Sequence, residues 1–338
     1  MIQRRAYRMQ AGSIDNLIVR KEELGSPADH EVQIAIQAIG LNFADLYSIW
    51  GMYKAAPKTD FIPGLEYAGI IHAIGAQVKG WNVGDRIMGV TRFGAYTDHL
   101  NIDARYITRI PEDWSIEEGA GFLVQAITAY YALVELGRMQ SGENVLIHSA
   151  AGGVGIQANR IAKRLGAFTI GSVGNDTKIE LLKKEGYDAW IVRSKQFRAD
   201  LEHALNGRPL NIILECIGGR ILMDGFRTLA PEGRMIIYGN ASFTTHGDSP
   251  NKLKMLARYL RRPKIDPLLL PNSNKAVIGF NLIWLYHQAE RFDGVVRELM
   301  AMHLPAQHIG ATFDFEALPE AIRTIQSGKT MGKVVVKV

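Results

Sequence analysis

Cysteine is nearly absent: Cys216 stands alone among 338 residues. An internal disulfide, a thiolate zinc knuckle and a cysteine-ligated iron–sulfur cluster are thereby excluded. A chain without disulfides is compatible with a reducing compartment. No stretch approaches the ~18 apolar residues of a membrane-spanning helix. The basic start, residues 1–10, lacks the apolar core of a secretory signal. There is no internal repeat, no low-complexity tract, and no arginine-rich run interleaved with aromatics of the kind that marks a nucleic-acid binder. Charge of either sign is modest: 39 basic against 34 acidic side chains give a formal +5, which favours anionic small molecules as partners. These absences lead to the expectation of a cytoplasmic protein. What is present, 47% apolar and 22% charged residues, is ordinary globular composition, and the length fits about two domains.

The first third reads as strands and turns. Val32, Ile34, Ile36 and Ala38 alternate with other residues at the period of a half-buried strand. Glycines at 64, 69, 75, 80, 84, 89 and 94 then mark the corners of a small twisted β-barrel. The middle third changes rhythm. A helical stretch over residues 116–136 leads into short apolar runs at 144–149, 167–173, 189–192, 211–216 and 234–238, separated by helical patterns at 157–165 and 178–184. Alternation of this kind predicts βαβ units and a parallel sheet covered on both faces. Residues 241–275 interrupt it with a basic, leucine-bearing segment. A sixth strand is expected at 276–282, a helix at 289–302, and a last strand at 333–338 that returns to the first domain.

The most informative cluster is Ser149-Ala150-Ala151-Gly152-Gly153-Val154-Gly155, placed where a strand must turn into a helix. Against the dinucleotide fingerprint G-x-G-x-x-G the slots are Ala150, Gly152 and Gly155. Ala151, Gly152, Gly153 and Val154 would bring bare main chain to a pyrophosphate at a helix start, and Gly155 would let helix and strand pack closely. NAD sites usually carry a carboxylate about 20 residues on, at the tip of the second strand. Here that tip is Gly171-Ser172-Val173-Gly174, followed by Lys178, with Arg193 past the third strand. Ser172, Lys178 and Arg193 suit a 2′-phosphate, so NADPH is preferred over NADH. Asp176 is the residue that dissents.

Six blocks, GLNFADLY (40–47), PGLEYAG (63–69), GDRI (84–87), TAYY (128–131), AAGGVG (150–155) and GKVV (332–335), occur in order along nearly the whole chain. On them the sequence resembles the medium-chain dehydrogenase/reductase superfamily, and most of all its zinc-free quinone oxidoreductase branch. The segment YGNAS (238–242) and the insertion before IGFN (278–281) are similar to the vesicle amine transport protein 1 subgroup. The resemblance implies an α/β protein, a GroES-like β-barrel domain (residues 1–124 and 284–338) joined to a Rossmann doubly wound parallel sheet (125–283) with an insertion at 241–275. It also implies a homodimer, and it places Thr128, Gly239, Asn240, Phe280 and Asn281 beside the coenzyme.

In zinc-dependent members of the superfamily, cysteine and histidine fill the slots held here by Asn42 and Leu65. Only Glu66 remains of that set, and no HExxH-type pair exists, so no metal is expected. Without one, a carbonyl must be polarised by hydrogen-bond donors, which suits acceptors that take hydride readily: quinones, enones or 2-alkenals. Asn42, also beside the nicotinamide, is the first candidate donor, with Tyr47 and Tyr53 next. His148, inside an apolar strand, reads as a core histidine. Cys216 reads as a small buried hydrophobe. A reading from another class remains open: a membrane-surface protein that keeps the fold, with the basic residues 252–264 beside Pro267-Leu268-Leu269-Leu270-Pro271 as its contact.

Overall fold

The structure, a computed structural model, describes residues 1–338. Its first strands are β1 (Ile2–Arg8), β2 (Ile18–Leu24), β3 (Glu31–Gly40), β4 (Glu66–Ile74), β5 (Arg86–Val90), β6 (His99–Asp103) and β7 (Ile107–Arg109). The first two form an antiparallel hairpin. The alternating residues of β3 are all buried, and its pairing with β4 slips at two places, between Gln33 and Ile34 and between Ile36 and Ala38. Such bulges bend a strand and increase its twist. They explain how a ten-residue strand can serve β4, β6 and a strand from the far end of the chain.

The second sheet is built from β8 (Asn144–His148), β9 (Phe168–Val173), β10 (Ala189–Val192), β11 (Leu210–Glu215), β12 (Leu229–Ile237) and β13 (Ala276–Gly279). Every pair is parallel, in the order β10-β9-β8-β11-β12-β13. Both faces are covered. Val145 and Ile147 of β8 join the main core with Ile156 and Ile161 of helix Gly153–Arg164, whereas Leu146 joins a second core with Phe197, Leu201 and Phe226. The last strands, β14 (Ile309–Asp314) and β15 (Lys333–Lys337), leave this sheet and close the first one, β15 running antiparallel to β3. The expected pairing of a β-barrel sheet, antiparallel except for β14 with β15, with a doubly wound parallel sheet is what the chain forms. No helix is long and apolar enough to cross a membrane.

Three elements differ from the sequence expectation. The helix over 116–136 is broken into Ile116–Ala120, Leu123–Tyr130 and a wide-turned segment Tyr131–Leu136. The first break falls at Gly121, where a Cβ would meet Lys333 Cγ at 2.8 Å. The strand expected over 276–282 stops at Gly279. Within the insertion, helix Lys252–Leu260 buries no residue at all, so its leucines cover nothing. The insertion is nonetheless pinned to the barrel: Asp248 O accepts from Trp50 Nε1 at 2.9 Å, and its carboxylate from Arg323 Nε at 2.7 Å.

Candidate active site

The turn after β8 is shaped by close contacts. Ser149 adopts φ +50°, and Gly152 then caps helix Gly153–Arg164 without any side-chain capping bond, leaving its first N–H groups open. A Cβ on Gly155 would lie 2.5 Å from Ser149 O, and one on Gly153 would lie 2.9 Å from Gln125 Oε1. Ala151 is buried, and its carbonyl accepts from Gly332 N at 2.7 Å, so the segment before β15 lies against the glycine turn. Val154 packs against the main core.

The three residues expected at the 2′-phosphate are brought together, but not in equal roles. Ser172 is fully buried, and its hydroxyl faces His148 Nδ1 at 3.0 Å and Arg193 Nη1 at 3.3 Å. It offers nothing to a ligand directly, which corrects its expected role as a donor there. As the next-to-last residue of β9, it points its side chain toward His148 and the second core. Lys178 is buried and Arg193 half-buried. Lys178 Nζ donates to the carbonyls of Gly328 (2.8 Å) and Thr330 (2.9 Å). Burial first, and the neighbouring Arg193 second, depress the Lys178 ammonium below its ordinary range. Neither cation has a carboxylate partner, and Asp176 is exposed.

Below the cleft lies a buried polar network that joins both domains. Asn42 Nδ2 donates to Glu66 Oε1 (3.0 Å) and Gly40 O (3.3 Å), while its Oδ1 accepts from Gln125 Nε2 (2.6 Å) and Lys333 Nζ (2.9 Å). Lys333 is also ion-paired to Glu66. Glu66 Oε2 accepts from Val124 N at 3.0 Å, so a barrel carboxylate caps the helix Leu123–Tyr130 that the Gly121 break exposes. Both amide hydrogens of Asn42 are thus committed inside the protein. This corrects the expectation that Asn42 presents a free donor to a carbonyl. No three His, Cys, Asp or Glu side chains gather anywhere as a metal ligand set, and at Glu66 an ammonium stands where a cation is needed.

Asp45, one turn along from Asn42, accepts from the Asn42 N–H at 2.7 Å and has almost no exposed surface. Burial pushes its carboxyl from the ordinary 3.8 up to about 7, against the pull of Asn42 N–H. The folded chain therefore keeps a proton that the unfolded chain has lost, and stability falls as pH rises between about 4 and about 7. Asp45→Asn removes this titration. It is expected to be no more stable than the parent at pH 5 and to gain on it by about 1 kcal/mol or more at pH 8. Denaturant midpoints at the two pH values measure this; an unchanged difference would refute it.

Two phenols cross between the domains. Tyr47 O–H lies 3.1 Å from Thr244 Oγ1 and 3.3 Å from Asn240 O. Tyr53 O–H donates to Asn281 Oδ1 at 2.6 Å. Burial pushes Tyr53 up to about 12 and raises Tyr47 as well, so both stay protonated near neutrality. Gly239 lies against Cys216, Asn240 and Asn281 are exposed at the crest, and Phe280 packs edge-on to Tyr131 at 5.1 Å. Thr128 is buried, its hydroxyl donating to Val124 O at 2.6 Å. Burial raises the Cys216 thiol, which keeps it from acting as a thiolate.

Lys333 and Gln125 were missed from sequence, although each left a trace. Gln125 is the lone amide in the apolar helix LVQAITAY. Lys333 is the buried lysine that opens the strand KVVVK, and Glu66 was an acid without a named partner.

Residues 28–112 match the alcohol dehydrogenase GroES-like domain, and residues 153–275 the zinc-binding dehydrogenase domain. The chain is 31% identical over 313 residues to the human synaptic vesicle membrane protein VAT-1 homolog, covering 92% of this chain and 79% of that protein. A mycobacterial protein solved in complex with NADPH superposes with a TM-score of 0.85 at 25% identity, over 99% of this chain and 100% of the other. A quinone oxidoreductase of Pseudomonas syringae pv. Tomato superposes with a TM-score of 0.84 at 25% identity, over 100% of both chains. The blocks that span the sequence, the two matched domains and these relatives place the chain in the medium-chain dehydrogenase/reductase superfamily of oxidoreductases, on its VAT-1-like branch.

Proposed function

We propose that the protein is an NADPH-dependent, zinc-independent reductase that delivers hydride to a quinone or an α,β-unsaturated carbonyl. The observation that carries this reading is the pair Lys178 and Arg193, two largely buried cations without a carboxylate at the end of β9, beside an uncapped helix N-terminus. A 2′-phosphate would answer the two cations, and a pyrophosphate would answer the open N–H groups at the start of helix Gly153–Arg164. The mycobacterial relative solved with NADPH supports the same coenzyme.

When bound, NADPH supplies the hydride. The chain's own residues bind, orient and hold protons. Tyr47 and Tyr53 keep their phenolic hydrogens near neutrality and lie at the mouth between the domains, where an acceptor oxygen would take the place of Asn240 or Thr244 and of Asn281 as their partner. Asn42 acts behind them, through the network with Glu66, Gln125 and Lys333, by fixing the turn that leads to Tyr47. The donor set does not suit zinc, because Asn42 and Leu65 stand in two of the ligand slots and the Lys333 ammonium already meets Glu66 and Asn42 there. The open edge of β13 is the natural seam for a homodimer.

Steady-state oxidation of NADPH against quinones, enones and 2-alkenals tests the proposal. Turnover with at least one class is expected, and Tyr47→Phe should lower kcat by about 10- to 100-fold. Tight NADPH binding with no turnover on any acceptor would overturn it.

One observation favours a second reading. Leu253, Leu256, Leu260 and Leu268 are exposed by 82%, 53%, 70% and 72%, and they stand among Lys252, Lys254, Arg258, Arg261, Arg262 and Lys264. Apolar side chains rimmed by cations suit an anionic bilayer surface. On this reading the chain sediments with anionic liposomes but not neutral ones, and reversing the charge of Arg261 and Arg262 releases it. Equal recovery with both liposome types would remove the reading.

A further inference from the structure

The proposed chemistry leaves unused a row of polar side chains that runs across the parallel sheet just beneath its crest. Four adjacent strands, β10, β9, β8 and β11, place Ile191, Ile170, Leu146 and Ile213 in the second core. Two residues further along, on the same face, stand Arg193, Ser172, His148 and Glu215. Glu215 Oε2 lies 3.2 Å from His148 Nε2, and His148 Nδ1 lies 3.0 Å from Ser172 Oγ. Arg193 Nη1 donates to Ser172 Oγ at 3.3 Å and to Ser172 O at 3.1 Å. The other oxygen of Glu215 accepts from Ile217 N at 2.5 Å and Gly218 N at 2.7 Å. His148, Ser172 and Glu215 have no exposed surface.

Strands of a doubly covered parallel sheet are ordinarily apolar throughout. A buried carboxylate, imidazole and hydroxyl are costly to desolvate, and apolar residues of similar size would stabilise the sheet at least as well. The row is better explained by what it holds. A guanidinium can only donate, so Ser172 serves Arg193 only while its oxygen, and not its hydrogen, faces the guanidinium. The Glu215 carboxylate, 3.2 Å from Nε2, favours the proton on that nitrogen, so Nδ1 is free to accept the Ser172 hydrogen. The hydroxyl oxygen is then left for Arg193. Arg193 has no carboxylate to anchor it, so the Ser172 oxygens set its direction.

We propose that His148 and Ser172 are positioning residues for coenzyme choice: they aim Arg193 at the 2′-phosphate and so set the preference for NADPH over NADH. This rests on the reading of Arg193 as a 2′-phosphate ligand. Glu215 holds the far end, tying the same row to the loop after β11.

The test is binding of NADPH and NADH, measured by fluorescence titration on the full chain. The variants are Arg193→Ala, Ser172→Ala, His148→Gln and the double variant Arg193→Ala/Ser172→Ala. Ser172→Ala removes one oxygen and no bulk, so it remains informative even if His148→Gln fails to fold. The ratio of NADPH to NADH affinity is expected to fall at least tenfold in Arg193→Ala and nearly as far in Ser172→Ala. NADH affinity should stay within twofold, and the double variant should lose no more than Arg193→Ala alone. A ratio that collapses in Arg193→Ala but holds in Ser172→Ala and His148→Gln would overturn the proposal and leave the coenzyme reading standing. A ratio that holds in Arg193→Ala would overturn both.

Discussion

Lys333→Met is expected to cost the fold about 3–5 kcal/mol, the largest stability loss of any single side-chain truncation in the active-site network. The reason is what remains behind. Glu66 is 1% and Lys333 3% exposed, and Lys333 Nζ meets both Glu66 and Asn42 Oδ1. Methionine fills the stem of the lysine but leaves a buried carboxylate with only amide donors, from Asn42, Gln125 and the Val124 N–H. Hydrogen bonds alone do not neutralise it. Pairing the change with Glu66→Gln removes the orphaned charge, and the double variant should recover more than half of the loss. Chemical denaturation of the parent, both single variants and the double variant closes the cycle. If Lys333→Met lies within about 1 kcal/mol of the parent, the pair is solvated and the network does not hold the domains as described.

The same pair shows where reading the sequence stops. The glycine cluster, the alternating strands and the returning tail are local patterns, and each is legible because its signal lies within a few consecutive residues. Glu66 and Lys333 are separated by 267 positions. Nothing local in either segment names the other; only the antiparallel registers of β3 with β4 and with β15 bring them together. The helix break at Gly121 was hidden for the same reason, since the clash that forbids a side chain there comes from Lys333. Ser172 illustrates a different limit. Its position at the end of β9 was readable, but whether a residue near a strand tip points to the crevice or to the core depends on a single step of register.

Gly155→Ala should lose NADPH affinity by at least tenfold and cost about 1–3 kcal/mol of stability, although alanine is the better helix former by about 1 kcal/mol. The sign is decided by contact. The added methyl would lie 2.5 Å from Ser149 O and 2.7 Å from Ala150 Cα, both main-chain atoms that cannot swing aside. Relief requires helix Gly153–Arg164 to move away from β8. That movement breaks the bonds from Tyr187 O–H to Ala150 O (3.2 Å) and Gly155 O (2.8 Å), and it shifts the open N–H groups at the helix start. Gly294 provides the contrast, since it lies inside helix Ala289–Ala301 with open space where a methyl would go. Gly294→Ala is expected to stabilise the chain by about 0.4–1 kcal/mol and to leave NADPH affinity unchanged. Thermal midpoints and coenzyme titrations on the two variants separate helix propensity from close packing. Should Gly155→Ala behave like Gly294→Ala in both, the turn after β8 has slack, and the close approach of main chain to a pyrophosphate loses its structural basis.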